Sequence, residues 1–255
     1  MHRPCPLILV ALLAAALAAM PAESRPGSLP PRPYTPVAIA LPAASDDASL
    51  TTFRARLTAV AKGRVYAGLA RLVQPQGFFW DRDYNHGFDP RKPAVDNLAA
   101  ALALERHKGS GWDLLTAIAA EAAVEPLASR PGVVCAPARP TFEGTALARL
   151  LDTTYTEGLD WTYPRADKTP VSAAPQPDAA VVGMLGLHFV RLLGFEGPEG
   201  EPAPGRTQWA RIVSPDGSIG FVGPGSLMTL TVERLCYIKD LIAGWRIAGY
   251  VARGN

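Results

Sequence analysis

The stretch from residue 169 to 227 constrains the fold more than any other part of this chain. Valines and leucines recur in it at the short intervals of β-strands, and Gly, Pro and Asp separate the apolar groups. The last separator is Pro215-Asp216-Gly217, which is typical of a tight turn between two strands. Several short strands joined by such turns favour a small, strongly curved sheet. The spacing therefore predicts a compact β-barrel over residues 165–230.

The order of these motifs resembles the bacterial SH3-like domain of exported cell-envelope proteins. The motifs that carry the resemblance are, in order, Val171, the Ala173-Ala174-Pro175 turn, Val181, Val182 and Leu185, Val190, Trp209 with Ile212 and Val213, and Gly220-Phe221-Val222. The resemblance covers residues 169–227 and implies a binding role instead of catalysis. The acidic insert at 194–205 departs from the family pattern and lengthens a loop that frames the binding groove in such domains.

The resemblance implies a groove for a peptide or a peptidoglycan component. Trp209 and Phe221 are the aromatic candidates for its walls, and His188 lies in the same strand pattern. Aromatic walls suit extended ligands because the rings offer large, rigid contact area. The alternatives are that both aromatic side chains belong to the core and that His188 is an ordinary strand residue.

The first 22 residues have the pattern of a secretory signal peptide. His2 and Arg3 form a basic start, residues 7–19 are uniformly apolar, and small residues follow up to Ala22. The apolar run is shorter than the roughly 20 residues that a spanning helix needs, which favours export over a retained anchor. We predict a periplasmic or secreted protein, without stable membrane insertion after cleavage, whose Pro-rich residues 23–44 form a mobile linker.

The cysteines support an oxidising compartment. Cys5 falls within the predicted signal, and Cys135 and Cys236 remain as an even pair in strand-like surroundings. Paired cysteines in exported proteins commonly form disulfides. We predict a bridge between Cys135 and Cys236; the alternative is two independent buried thiols.

Residues 45–160 carry helical periodicity. Leu50, Phe53, Leu57 and Val60 recur at three- and four-residue steps, and similar patterns follow up to residue 152. The predicted fold class is α+β: a mostly helical N-terminal domain at 45–160, the small SH3-like barrel, and a C-terminal β-hairpin at 231–255. The order of the helices loosely resembles the front portion of envelope proteins with an SH3-like tail, which implies no activity.

Three polar residues raise the question of a metal site. Asp81, Asp83 and Asn85 alternate along the chain as the ligands of a calcium loop do. Gly87 comes one residue late for such a loop, and Lys92 stands where a bidentate glutamate is expected. We therefore predict a polar surface loop, with no metal site and no cofactor.

The function predicted from these patterns is that of an exported binding or scaffold protein and not of an enzyme. The net charge of +2 lacks the basic excess of a nucleic-acid binder. Two alternatives stay open: a cell-wall hydrolase, for which Cys135 would have to supply the thiolate, and a small-ligand-binding protein that uses the helical domain.

Overall fold

The structure, a computed structural model, describes residues 32–81, 87–105, 109–197 and 208–252. The predicted signal peptide at 1–22 and the loop positions Asp83 and Asn85 lie outside these ranges. Within them, no helix is both long and apolar enough to cross a membrane.

Short strands dominate the part of the chain that the structure describes. The helices are α1 (Ala48–Lys62), α2 (Tyr66–Ala70), α3 (Ala94–Ala101), α4 (Ser110–Ala119) and α5 (Gly144–Thr154). The strands before residue 165 are β1 (Ile39–Ala40), β2 (Phe79–Asp81), β3 (Glu125–Pro126), β4 (Val133–Ala136), β5 (Thr141–Phe142) and β6 (Trp161–Pro164). The later strands are β7 (Thr169–Ser172), β8 (Val181–Leu185), β9 (Val190–Glu196), β10 (Trp209–Val213), β11 (Ile219–Val222), β12 (Leu227–Thr229), β13 (Arg234–Asp240) and β14 (Gly244–Val251).

These strands form three sheets. A five-stranded sheet has the order β2-β14-β13-β4-β3, in which β2 is parallel to β14 and the other pairs are antiparallel. A seven-stranded antiparallel sheet has the order β12-β6-β9-β10-β11-β7-β8, and β1 pairs with β5 in a small third sheet. Strands distant in sequence are therefore neighbours in both large sheets.

One face of the five-stranded sheet packs against the helices. The buried residues Leu50, Phe53 and Leu57 lie on one side of α1, as their helical spacing predicts. Tyr237 of β13 is fully buried among them, with its ring 5.8 Å from that of Phe53 in an edge-on contact. The helical surface thus finds its apolar partner in strands from the C-terminal end of the chain.

The opposite face of this sheet carries the disulfide. Cys135 of β4 and Cys236 of β13 are directly paired across the sheet and bonded to each other, as the sequence predicted. Both are fully buried in a small cluster that includes Phe79 and Val251. Side chains alternate between the two faces along β13, so Leu235 and Tyr237 face the helices while Cys236 faces the cluster.

The predicted helical N-terminal domain is wrong. The segment 45–160 also contributes strands β2, β3 and β4, and its helices pack on a sheet whose central strands are β13 and β14 of the predicted C-terminal hairpin. The hairpin itself is present, with Cys236 opposite Gly249. Helical periodicity reveals which residues form a helix, whereas the sheet beneath the helices depends on partners about a hundred residues away.

The predicted closed SH3-like barrel is also wrong. The seven-stranded sheet ends at β12 and β8, and in the described residues these two strands do not pair with each other. β6, whose residues fall between the two predicted domains, enters the sheet between β12 and β9. The apolar alternation of the strands is satisfied by an open sheet, because α5 and the N-terminal segment cover Trp161, Tyr163 and Phe189.

The described part of the predicted mobile linker, residues 32–44, is packed in place. Val37 and Ile39 are buried, and the amide of Ile39 donates to the carbonyl of Leu187 at 3.0 Å. The hydroxyl of Tyr34 donates to the carbonyl of Val213 at 3.0 Å, and its ring meets that of Trp161 edge-on. The apolar residues of this Pro-rich segment hold it in place, because they pack into the same core as Trp161, Tyr163 and Phe189 of the seven-stranded sheet region.

Candidate functional site

A cavity of about 450 Å³ lies between α4 and the seven-stranded sheet. One wall is the surface of α4, and the other is formed by residues of β9, β10 and β12 and by the turn that follows β11. The apolar lining residues include Leu114 and Ile118 from α4 and Phe195, Ala210 and Leu227 from the strands. The cavity thus contacts two parts of the sheet, β12 and the β9–β10 pair, that are not neighbours in the strand order.

Two residues that line the cavity form an ion pair, and one of them follows the C-terminal end of α4. The guanidinium of Arg165 donates to the carboxylate of Glu121 at 2.9 Å, and both side chains are less than one-third exposed. The buried guanidinium of Arg54 donates to the backbone carbonyl of Glu121. Two cations therefore meet the negative end of the α4 dipole, which is a favourable placement for them.

A second cavity of about 220 Å³ adjoins the first and shares its charged wall. Glu121, Pro137, Arg165 and Met228 line both cavities, so the two are adjacent, and we refer to them together as the groove. Tyr163 lines the smaller cavity, and burial raises the pKa of its phenol to about 12. The phenol is therefore neutral at physiological pH.

The strand β12 presents a free edge. The amide of Arg165 donates to the carbonyl of Ser226. Hydrogen-bonded and non-bonded pairs alternate along an antiparallel ladder, so the backbone groups of Ser226 and Met228 bond to β6. The N–H and C=O groups of Leu227 and Thr229 then point away from β6. No other strand in the described ranges pairs with β12 on that side. All three residues of β12 line the larger cavity.

The predicted groove residues Trp209 and Phe221 lie on the other face of the sheet from the core. Ala210 and Val222 are buried, so the alternation along β10 and β11 places Trp209 and Phe221 together on the opposite, half-buried face. Glu196 pairs with Arg211 there, at 3.7 Å. Neither aromatic ring lines the cavity, although the Trp209 ring lies against Gly223, which does.

The predicted candidate His188 lies beside the N-terminal segment, where it forms a bridge with Ala38. It is half-buried, and its Nε2 atom has no hydrogen-bond partner among the described residues. Burial lowers the pKa of the imidazole from its ordinary value. His188 does not line either cavity, so the structure does not bring it together with Trp209 and Phe221 into one groove.

The remaining candidates have structural contacts. Asp81 accepts a hydrogen bond from Arg130 at 3.3 Å. The described residues hold no group of three or more metal-binding side chains. Cys135 is bonded to Cys236, so its sulfur is not available as a thiolate while the bridge is intact.

The sequence analysis missed the groove itself. Glu121, Arg165 and β12 were not among its candidates, because they come together only through contacts between parts of the chain that are distant in sequence. One signal was present: the Gly-Pro-Gly turn at 223–225 is followed by the apolar residues Leu227 and Met228, which is the pattern of a turn and a new strand.

No known protein family, curated protein or solved structure matches this chain.

Proposed function

We propose that this protein is exported and binds an extended peptide in the groove between α4 and β12. The peptide lies along the free edge of β12 and adds a strand to the seven-stranded sheet. The peptide stem of peptidoglycan is the ligand class that fits an envelope location. The likeness to bacterial SH3-like domains remains a prediction, and the proposal does not depend on it.

The unpaired edge of β12 inside a cavity is the observation that carries the proposal. Leu227 and Thr229 offer two backbone donors and two acceptors, which are the groups that an added strand uses. Such edges are normally covered in native proteins, because they pair readily with other chains. Here the edge faces a pocket whose other wall is the apolar surface of α4.

The charged wall supports a peptide with a free carboxylate. Arg165 and Glu121 are paired at 2.9 Å while both remain partly accessible, so a ligand carboxylate can share the guanidinium. Arginine suits this task because its fork of N–H donors matches two oxygens. The edge of β12 would then bind the peptide backbone while Arg165 binds the peptide carboxylate.

The export part of the proposal rests on two features. The first 22 residues have the composition of a signal peptide. The disulfide between Cys135 and Cys236 is of a kind that persists in oxidising compartments.

A small-molecule ligand is the second candidate. The cavity volume of about 450 Å³ is within the range of about 300–1,000 Å³ for small-molecule sites. The two candidates differ in their need for the edge of β12, since a small molecule would depend on the cavity walls instead. The hydrolase alternative finds no thiolate at Cys135, because that sulfur is in the bridge.

The substitution Thr229→Pro tests the peptide proposal. It removes an amide that points away from β6, so the pairing of β12 with β6 is kept while one donor to the ligand is lost. Thr229→Val is the matched control, because it keeps the amide. Titration calorimetry with a purified peptidoglycan stem peptide should show about tenfold weaker binding for Thr229→Pro than for Thr229→Val, since a lost hydrogen bond with an unpaired partner costs about 1–3 kcal/mol.

Equal affinities of the two variants for the peptide would contradict strand addition. Retained binding of small ligands by Thr229→Pro, with no peptide binding by the wild type, would favour the second candidate. Circular dichroism and the urea midpoint of each variant check that the sheet is preserved.

A further inference from the structure

The charged residues that line the larger cavity are placed differently relative to the two ends of β12. Arg165 stands opposite Ser226, just before the first residue of β12, because its amide donates to the Ser226 carbonyl at 2.9 Å. Arg165 is paired there with Glu121. Glu233 also lines the cavity, and it comes after Thr229, the last residue of β12. A guanidinium therefore marks the N-terminal end of the strand.

Arg165 keeps donors for a second carboxylate. Its Nη1 atom donates to Glu121 at 2.9 Å, and within the described ranges its Nε and Nη2 atoms have no hydrogen-bond partner. These two nitrogens lie on the same side of the guanidinium and form a two-donor fork, which is the arrangement that binds both oxygens of a carboxylate. The pairing with Glu121 thus leaves a complete fork of Arg165 for a ligand.

The turn that precedes β12 offers a backbone donor at the same end of the strand. Gly223 and Gly225 line the cavity, and Gly225 is exposed, with a φ of 73°. The amide of Ser226 donates to the carbonyl of Gly223 at 3.2 Å, whereas the amide of Gly225 has no partner in the part of the chain that the structure describes. A Cβ atom at Gly225 would have no neighbour within 4 Å, so a ligand can approach this backbone closely. Backbone amides are a recurrent means of binding a C-terminal carboxylate.

The position of Arg165 selects the direction of an added strand. A peptide parallel to β12 would bring its ammonium end to Arg165, which places two like charges together. An antiparallel peptide brings its carboxyl end there instead. The backbone of such a peptide pairs with Leu227 and Thr229, and its chain ends beside the turn at 223–225.

We propose that the groove binds the free C terminus of a peptide that lies antiparallel to β12. The terminal carboxylate accepts hydrogen bonds from the Nε and Nη2 atoms of Arg165 and from the amide of Gly225. This inference rests on the strand addition put forward above, and it adds the direction of the peptide and the requirement for a free C terminus. An internal segment of a longer chain would bind through its backbone alone and therefore more weakly.

A synthetic peptidoglycan stem peptide, made once with a C-terminal carboxylate and once with a C-terminal amide, tests the requirement for a free C terminus. In titration calorimetry, the wild type should bind the acid about tenfold more tightly than the amide, because the amide lacks the charge that strengthens these hydrogen bonds. In Arg165→Gln this ratio should fall below about threefold, since glutamine has neither the charge nor the fork. The ratio compares two ligands of one protein, so a general loss of stability does not change it.

Arg130→Gln is the matched control. Arg130 is also a partly exposed arginine in an ion pair, at 3.3 Å from Asp81, and it lines neither cavity. The ratio of acid to amide affinity should therefore stay at its wild-type value in this variant. An equal fall of the ratio in both variants would overturn the assignment of the carboxylate to Arg165, and so would an unchanged ratio in Arg165→Gln.

Two further outcomes separate this inference from the function on which it rests. Equal binding of the acid and the amide by the wild type would overturn the capture of a C terminus and leave strand addition standing. Binding of neither form would contradict strand addition itself, and this inference with it.

The direction of the peptide is tested with a benzophenone group on the amino end of the acid form. Irradiation should crosslink this group to residues 229–233, because an antiparallel peptide places its amino end beyond the C-terminal end of β12. Mass spectrometry of the digested protein locates the crosslinks. Crosslinks to the turn at 223–225 instead would overturn the antiparallel direction.

Discussion

Removal of the disulfide is the perturbation whose magnitude follows most directly from the structure. Cys135 and Cys236 are 101 residues apart in sequence and join β4 to β13. The chain-entropy model assigns about 4.7 kcal/mol to closing a loop of about 100 residues. Because both cysteines are fully buried, alanine is the replacement that adds no polar group to the cluster.

The expected loss for Cys135→Ala/Cys236→Ala is therefore about 5 kcal/mol, a large part of the roughly 5–15 kcal/mol that stabilises a typical domain. Urea denaturation followed by tryptophan fluorescence measures it. With a slope of about 2 kcal/mol per M, the midpoint should fall by about 2–3 M. Wild-type protein in reductant is the control, and its midpoint should approach that of the double variant.

Two results would refute the reasoning. A midpoint shift below about 0.5 M, at an unchanged slope of about 2 kcal/mol per M, would mean that the bridge does not restrict the unfolded chain as its loop length requires. Two free thiols at Cys135 and Cys236, found by mass spectrometry of the protein purified without reductant after export, would mean that the pair does not form the bond.

Two further predictions concern packing and pH. A Cβ atom at Gly111 would lie 2.1 Å from the backbone oxygen of Leu102, so Gly111→Ala should lower the free energy of unfolding by about 1–3 kcal/mol. Gly144→Ala, at an open helical position, should not lower it, and equal urea midpoints for the two variants would contradict the packing. Burial lowers the pKa of folded His188, so the unfolded chain takes up a proton first as the pH falls through about 6.5. The free energy of unfolding should therefore fall below that pH and be unaffected above it. Between pH 7.5 and pH 5.5, the urea midpoint of His188→Gln should fall less than that of the wild type. An equal fall in the two proteins would show that His188 does not titrate as its burial requires.

Local periodicity was a good guide to individual elements. The apolar spacing of Leu50, Phe53 and Leu57 located α1, and the valines at 181 and 190 located β8 and β9. Residues 141 and 142 show the limit of the method, because they lie within the segment 45–160 that is predicted to be mostly helical. They belong to β5 instead, since Ile39 supplies a strand partner from the distant N-terminal segment.

The candidate site was beyond reach of the sequence patterns. Glu121 and Arg165 are 44 residues apart and meet only in the tertiary structure, where the residue after α4 and the residue after β6 come close together. Trp209 and Phe221 were chosen for their aromatic character, and the face of the sheet that they share lines neither cavity. Which face would line a cavity depended on the placement of α4, and no local pattern records that placement.

The sequence by itself determined the buried face of α1, the positions of strands such as β8 and β9, and the disulfide partners, because each depends on side chains close in the chain or on a count of cysteines. The tertiary structure decided that the C-terminal hairpin lies under the helices, that the second sheet stays open, and that β12 has a free edge in a cavity. These features depend on long-range strand pairing, in which several partners satisfy the same alternation of apolar residues. The choice among those partners is made by the packing of the whole molecule.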